Sequence, residues 1–251
     1  MSDAAIHLAA STLILREGAG LEVLMVRRNL AVEFAGGAMV FPGGRVDAGD
    51  LDPAWADCID GWAEVPAIER APRIAALREG FEESGILAGI KGPAPQDMPR
   101  LRQAMAAGEL TFREALLRLG LRPDLRALTL FSRWMTPAIL PKRFDTFFYL
   151  AVCPAGQLAS SDGSETVAAE WITPAQAIEE AAQGRLHIVF PTRMNLRRLA
   201  ESQSVEAAIL AAQNRPAPRV TPEVEGHGHE RYLRLGPESG FGEVREKIGR
   251  L

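Results

Sequence analysis

Cysteine is scarce: the 251-residue chain holds two, Cys58 and Cys153, with no C-x-x-C pair. That excludes a disulfide framework and suits a reducing compartment. A basic excess is missing too, because Lys and Arg total 28 against 32 Asp and Glu. No global positive field draws nucleic acid to this chain, so nucleic acid is not an expected partner, although a local basic pocket stays open. Long apolar runs are absent; none approaches the ~20 residues that span a bilayer. The first residues, M-S-D-A-A-I-H-L-A-A, lack the basic start and apolar run of a signal peptide. There is no internal repeat and no low-complexity tract. The expectation is a soluble, cytoplasmic protein with no membrane partner.

What is present is enough apolar material for a core, 47% of residues. The length fits one large domain, or one domain with insertions. The short apolar runs Leu8 to Arg16 and Leu21 to Arg28, separated by G-A-G, predict a hairpin of partly buried strands. A third strand, A-M-V-F, runs into a turn at Pro42–Gly44. Residues 50–70 show no clear period and are expected to form an inserted loop with some helix. Pro72 is placed to open a helix as its first residue, with Ile74, Leu77 and Phe81 as its core stripe. Helical patterning follows from Pro93 to Leu128. Strands return at L-T-L-F-S-R-W-M and D-T-F-F-Y-L-A-V, and helices at 174–183 and 192–213.

The stretch R-E-G-F-E-E-S-G-I, Arg78 to Ile86, sets three glutamates in the last turns before a glycine stop. At about 100° per residue, Glu79, Glu82 and Glu83 fall nearly opposite the apolar stripe and point away from the core. Like charges at these spacings cost roughly 0.2–0.5 kcal/mol per pair. Acidic groups at the negative end of the helix dipole cost roughly 0.3–1 kcal/mol each. A plain solvated face is one reading of the cluster. A divalent cation, Mg²⁺ or Mn²⁺, would cancel both penalties, since clustered hard carboxylate oxygens are what such ions bind.

These residues resemble the second half of the Nudix box, G-x5-E-x7-R-E-U-x-E-E-x-G-U. The first half is similar to G-G-R-V-D-A-G-D, with Gly44 followed after five residues by Asp50, where the pattern has Glu. Residues 51 to 77 stand where the pattern has seven, so about 20 are inserted, and Gly80 replaces an aliphatic residue. Arg78, Glu79, Glu82, Glu83 and Gly85 keep the spacing. The inserted box after V-F-P-G-G, with S-R-W-M-T-P and R-F-D-T-F-F beyond it, resembles the branch that contains the peroxisomal coenzyme A diphosphatases. The resemblance implies an α/β Nudix fold, a mixed sheet sandwiched between helices in an α/β/α arrangement with helical insertions. It implies a Nudix domain over residues 5–213, with the insertion at about 51–70 and a helical segment at about 95–127. Residues 214–251 are then a C-terminal extension.

The same resemblance implies a metal-dependent hydrolase that cleaves a phosphoanhydride joining a nucleoside phosphate to a second group. Coenzyme A or an acyl-CoA is the leading substrate, giving 3′,5′-ADP and 4′-phosphopantetheine or its acyl form. ADP-ribose, NADH, a nucleotide sugar or capped RNA are the alternative substrates, and a non-catalytic nucleotide sensor is the rival of a different class. Glu82 and Glu83 are carried over as metal ligands. Glu79 is a ligand or the base that takes the water's proton, and Arg78 orients the carboxylates. Gly43 and Gly44 let the backbone turn tightly beside the metal and diphosphate. Upstream, L-M-V-R-R-N and Gly37 match the CoA-associated signature, with Arg28 at its arginine and Glu33 where a second arginine is usual.

Several further residues keep two readings. Glu165 is an additional acid or an ordinary exposed glutamate, and Glu170 stands at the other end of the same segment. Arg143 and Asp145 contact substrate phosphate or ribose, or form a strand-edge ion pair. Arg27 and Arg28 hold an anionic nucleotide or coat a strand end. His227 and His229, without further ligands at metal spacing, read as a surface loop, and Trp134 and Trp171 read as core. A homodimer stays open.

Overall fold

The computed structural model describes residues 5–31, 35–90, 95–227 and 230–247. Strand β1 (Ile6–Glu17) and strand β2 (Leu21–Arg28) form the expected hairpin, but they pair only near its tip, Leu15–Glu17 against Leu21–Val23. Beyond that the strands part. Strand β3 (Met39–Val40) pairs with β2 and strand β4 (Gly43–Arg45) with β1, so the P-G-G segment runs into the opened fork. The sequence suggested a tight turn there. Gly43 and Gly44 instead lie in extended backbone, Pro42 O accepts Thr12 N at 2.8 Å, and neither glycine has positive φ. Their small size serves close approach. A methyl on Gly43 would lie 2.3 Å from Ser11 Oγ, and one on Gly44 2.3 Å from Glu79 Oε1.

Helix α1 (Ala67–Ser84) carries the glutamates and stops at Gly85, whose φ of 72° suits glycine. It begins five residues before Pro72, which is interior and not first. Interior proline forfeits one hydrogen bond and costs about 3 kcal/mol. The first turn is anchored regardless by Arg73, which pairs with Glu69 at 2.5 Å and donates to Leu125 O at 2.8 Å. All of this is buried, so the turn is held by tertiary contacts that periodicity does not register.

Helices α2 (Met98–Ala106) and α3 (Phe112–Leu119) fill the expected helical segment. Strands β5 (Thr129–Met135), β6 (Arg143–Val152) and β7 (Thr166–Ile172) complete most of the sheet, followed by helix α4 (Pro174–Ala182). The helix expected over 192–213 is two, α5 (Phe190–Leu199) and α6 (Val205–Gln213). The break comes from S-Q-S: Ser204 caps α6 by accepting Ala207 N at 3.1 Å, which fixes extended backbone at 204. The tail adds strand β8 (Arg219–Val220), parallel to β5, and a small antiparallel sheet of β9 (Glu223–Glu225), β10 (Tyr232–Leu235) and β11 (Val244–Lys247). Val220 and Leu235 of this tail are buried in the main core, and Phe241 packs on Trp134 at 4.9 Å between centroids.

The main sheet runs β3-β2-β1-β6-β5-β8, with β4 beside β1 and β7 beside β2. It is mixed, because β1 and β6 are parallel while most other pairs are antiparallel. Alternation along β1 divides two cores. Ala10 faces α1, α2 and α3, and Thr12 on the same side donates to Ala76 O at 3.0 Å. Leu13 and Leu15 face α4, α5 and α6. The result is the expected α/β/α sandwich. Both cysteines are free thiols, and no helix among the described residues is long and apolar enough to cross a membrane.

The insertion at 51–70 does not project as a loop. Two short 3₁₀ turns, Ala48–Leu51 and Pro53–Asp57, bury Trp55, Cys58 and Ile59 in the α1-side core. Trp55 meets Phe112 of α3 at 5.8 Å, and Asp60 exchanges backbone hydrogen bonds with Pro123 and Leu125. The two insertions thus cover each other. Trp55→Ala should lower the unfolding free energy by about 3–5 kcal/mol in urea titration, as for a core aromatic. A loss below about 1 kcal/mol would mean that the insertion is peripheral.

Candidate active site

Arg78 organises the site. Its Nε and Nη2 donate to the two oxygens of Asp50 at 3.0 and 2.9 Å. Nη1 donates to Glu79 Oε1 at 2.8 Å and Glu82 Oε2 at 3.0 Å, and Nη2 also reaches Arg45 O at 2.9 Å. Asp50 is itself buried and accepts Asp47 N at 2.8 Å. The two halves of the motif, separated in sequence by the insertion, therefore meet on one guanidinium. Burial pulls the Arg78 pKa down, but the Asp50 hydrogen bonds and the charges of Glu79, Asp50 and Glu82 outweigh it and hold the group charged.

The glutamates do not point into open solvent as the helical wheel suggested. Glu83 is only 4% exposed and Glu79 is nearly as enclosed, because β4 covers that face of α1. Glu83 Oε2 accepts Gly43 N at 2.9 Å. Burial, then the Glu79 charge, push the Glu83 pKa up to about 8, against the pull of the Gly43 N–H and of Arg28. Burial likewise raises Glu79 to about 7, with Arg78 opposing and Glu82 and Glu165 adding. Glu82, the most open, is raised by burial and lowered by Arg78.

The C-terminal end of α1 is closed by donors from elsewhere. Phe81 O accepts Gly85 N at 2.9 Å, Glu82 O accepts Arg102 Nε at 2.8 Å, Glu83 O accepts Thr166 Oγ1 at 3.1 Å and Ser84 O accepts Ser160 N at 2.9 Å. All four carbonyls that lack intrahelical partners are thereby satisfied. Asp162 fixes the 162–166 loop by accepting Ser164 N, Glu165 N and Thr166 N at 2.6, 2.7 and 3.0 Å. Burial alone would raise its pKa, but these bonds and the Ser164 and Thr166 hydroxyls bring it to about 2. The loop sets Glu165 close enough to act on both Glu79 and Glu83.

Other expected residues fall elsewhere. Asp145 takes the ion-pair reading, with both oxygens on Arg133 at 2.8 and 2.7 Å and Arg219 at 3.8 Å. Among the described residues Arg143 donates to Thr136 O alone, at 3.5 Å, and is not joined to the glutamates. Arg27 coats the sheet beside Glu170 at 3.8 Å. Arg28 is different: its Nε is buried with no hydrogen-bond partner among the described residues, and its charge acts on Glu83. Trp134 is core, Trp171 lies half-buried under Arg16, and His227 is exposed, while Glu33 and His229 lie outside the described residues. Sequence spacing does not point to Asp50 as the Arg78 partner, nor to Arg102 or Asp162 in these roles. Only Asp162 carried a local signal, the D-G-S turn.

Among the described residues no three Asp, Glu, His or Cys side chains converge as a formed metal cage. The donor set still fits a hard cation. Arg78 turns Glu79 and Glu82 toward itself, while burial of Glu79 and Glu83 outweighs the stabilisation that Arg78, the Gly43 N–H and Arg28 give their charges. A raised carboxyl pKa means that the folded state binds more protons than the unfolded state, so stability falls as pH rises. Metal-free protein should lose unfolding free energy between about pH 5 and 8. The slope should flatten in Glu83→Gln and on adding Mg²⁺. A stability independent of pH over that range would contradict the burial argument.

The NUDT19 Nudix domain profile matches residues 62–199. The acyl-coenzyme A diphosphatase NUDT19 of Xenopus laevis is 27% identical over 225 residues, covering 71% of this chain and 59% of that protein. Putative nudix hydrolase 7 of Caenorhabditis elegans is 32% identical over 202 residues, covering 77% and 60%. This chain thus spans about 60% of the length of these relatives. A crystal structure of a NUDIX hydrolase from Alicyclobacillus acidocaldarius superposes with TM-score 0.75 at 28% identity, over 86% of this chain and all of that one.

Proposed function

Because the chain belongs to the NUDT19 Nudix domain family, we propose that it hydrolyses the phosphoanhydride of a nucleoside diphosphate joined to a second group. Coenzyme A or an acyl-CoA is the substrate we assign, with 3′,5′-ADP and (acyl-)4′-phosphopantetheine as products. The observation that carries this reading is the enclosure of Glu79 and Glu83 against the glycine strand, with Arg78 holding Glu79 and Glu82. Relatives named acyl-coenzyme A diphosphatase supply the substrate class.

Glu79, Glu82 and Glu83 would hold Mg²⁺ or Mn²⁺, which supplies charge neutralisation at the diphosphate and a lowered pKa for attacking water. The chain's own groups do the rest. Arg78 fixes the rotamers of Glu79 and Glu82 through its planar fork. The absence of a side chain at Gly43 and Gly44 lets β4 pass directly against Ser11 and Glu79, which keeps the carboxylates tight against the strand backbone. Arg28, with an unpaired buried Nε beside Glu83, is the cation we assign to a substrate phosphate. Glu165, on its Asp162-braced loop, is the additional acid.

Glu82→Gln and Glu83→Gln should each lower kcat by about a hundredfold while the fold is kept. Products from CoA, identified by mass, should be 3′,5′-ADP and 4′-phosphopantetheine. Turnover of ADP-ribose, NADH, a nucleotide sugar or capped RNA with kcat/KM about tenfold above that for CoA would overturn the substrate and leave the chemistry. Nucleotide binding without turnover of any diphosphate would make the domain a sensor.

A further inference from the structure

On the sheet face opposite α1, a cavity of about 350 Å³ opens between α5, α6 and β5. Arg198 lines it and is 6% exposed, yet its guanidinium makes no hydrogen bond or ion pair among the described residues. It lies over two rings, Phe131 at 4.6 Å and Phe241 at 5.5 Å. A desolvated arginine held only by aromatic faces leaves its in-plane N–H donors unused. Those donors open into the cavity, where an anionic acceptor would take charge-assisted hydrogen bonds from them.

The walls narrow the choice of acceptor. Arg215 stands at the rim and pairs with Glu201 at 3.1 Å, so the three charged linings sum to one positive charge. A dianion would face the Glu201 carboxylate, whereas a monoanion neutralises the site. Phe131, Ala208, Ala212 and Pro216 make the apolar walls, Ser202 and Asn214 add polar edges, and the small alanines of α6 are what leave the space open. Head and body of a ligand are thus specified separately. The cavity also fits the unfavourable setting of Arg198, whose pKa burial lowers to about 10, with Arg215 adding to the effect.

We propose that this cavity binds a small organic monocarboxylate, its carboxylate on the Arg198 guanidinium and its short hydrocarbon chain against Phe131 and the alanines of α6. The site is separate from the glutamate cluster and does not rest on the assignment of the reaction.

Sodium hexanoate and inorganic phosphate are the probes, each followed by titration calorimetry and thermal unfolding of the full chain. Hexanoate should bind and raise Tm by mass action, and phosphate should do neither. Arg198→Met should weaken hexanoate binding at least about tenfold, the loss expected for a charge-assisted pair. Since Arg198→Met alters the core, Ala211→Trp gives an independent arm. Ala211 lies exposed at the rim, and an indole there should block entry without disturbing the fold. Three results would overturn the proposal: no hexanoate binding to the wild type, phosphate binding in place of hexanoate, or hexanoate affinity unchanged in both variants.

Discussion

A single buried guanidinium sets the terms for the site. Arg78 is 11% exposed and meets Asp50 from one chain segment, Glu79 and Glu82 from its own helix, and a carbonyl from β4. Each acid alone would be expensive in that position, and the arginine alone equally so. Together they fix where β4 lies on α1, and hence where Gly43 N–H reaches Glu83. Lysine could not take this place, because a point charge on a flexible stem cannot face a carboxylate bidentately while donating to two others.

The helix itself is poorly suited to hold acid at its C-terminal end, where the dipole is negative. The fold compensates from outside the helix. Arg102 comes from the inserted helical layer, Ser160 from the loop before β7 and Thr166 from the start of β7, and each takes one carbonyl of the last turn. The insertion therefore serves the site at a distance: it packs Trp55 on Phe112, places α2, and so brings Arg102 to Glu82 O. Local conflict at a functional site, offset by the surrounding structure, is the general pattern here.

How much of this was legible in the sequence follows from range. The box residues Arg78, Glu79, Glu82, Glu83 and Gly85 sit at fixed short spacings on one helix, so their clustering could be read directly. The β1–β2 hairpin tip and the core place of Trp134 were legible for the same local reason. The helical period told which face carried the glutamates but not what would cover it, and β4 did so across about 40 residues of chain. Local rules start α1 at Pro72, whereas Glu69–Arg73 and Leu125 hold a turn before it that proline would otherwise break. Arg102 has no local signal, since its partners, Glu82 O and Ser160 Oγ, lie in separate segments of the chain.

Arg78 and Asp50 act as one unit joining the two halves of the motif. A double-mutant cycle in urea with Asp50→Asn, Arg78→Gln and the pair tests it most directly. Each single change should cost about 3–5 kcal/mol by stranding a buried charge, and the double change should cost no more than the worse single. Single costs that instead add to within about 0.5 kcal/mol would show the two residues to be independent and would contradict the account.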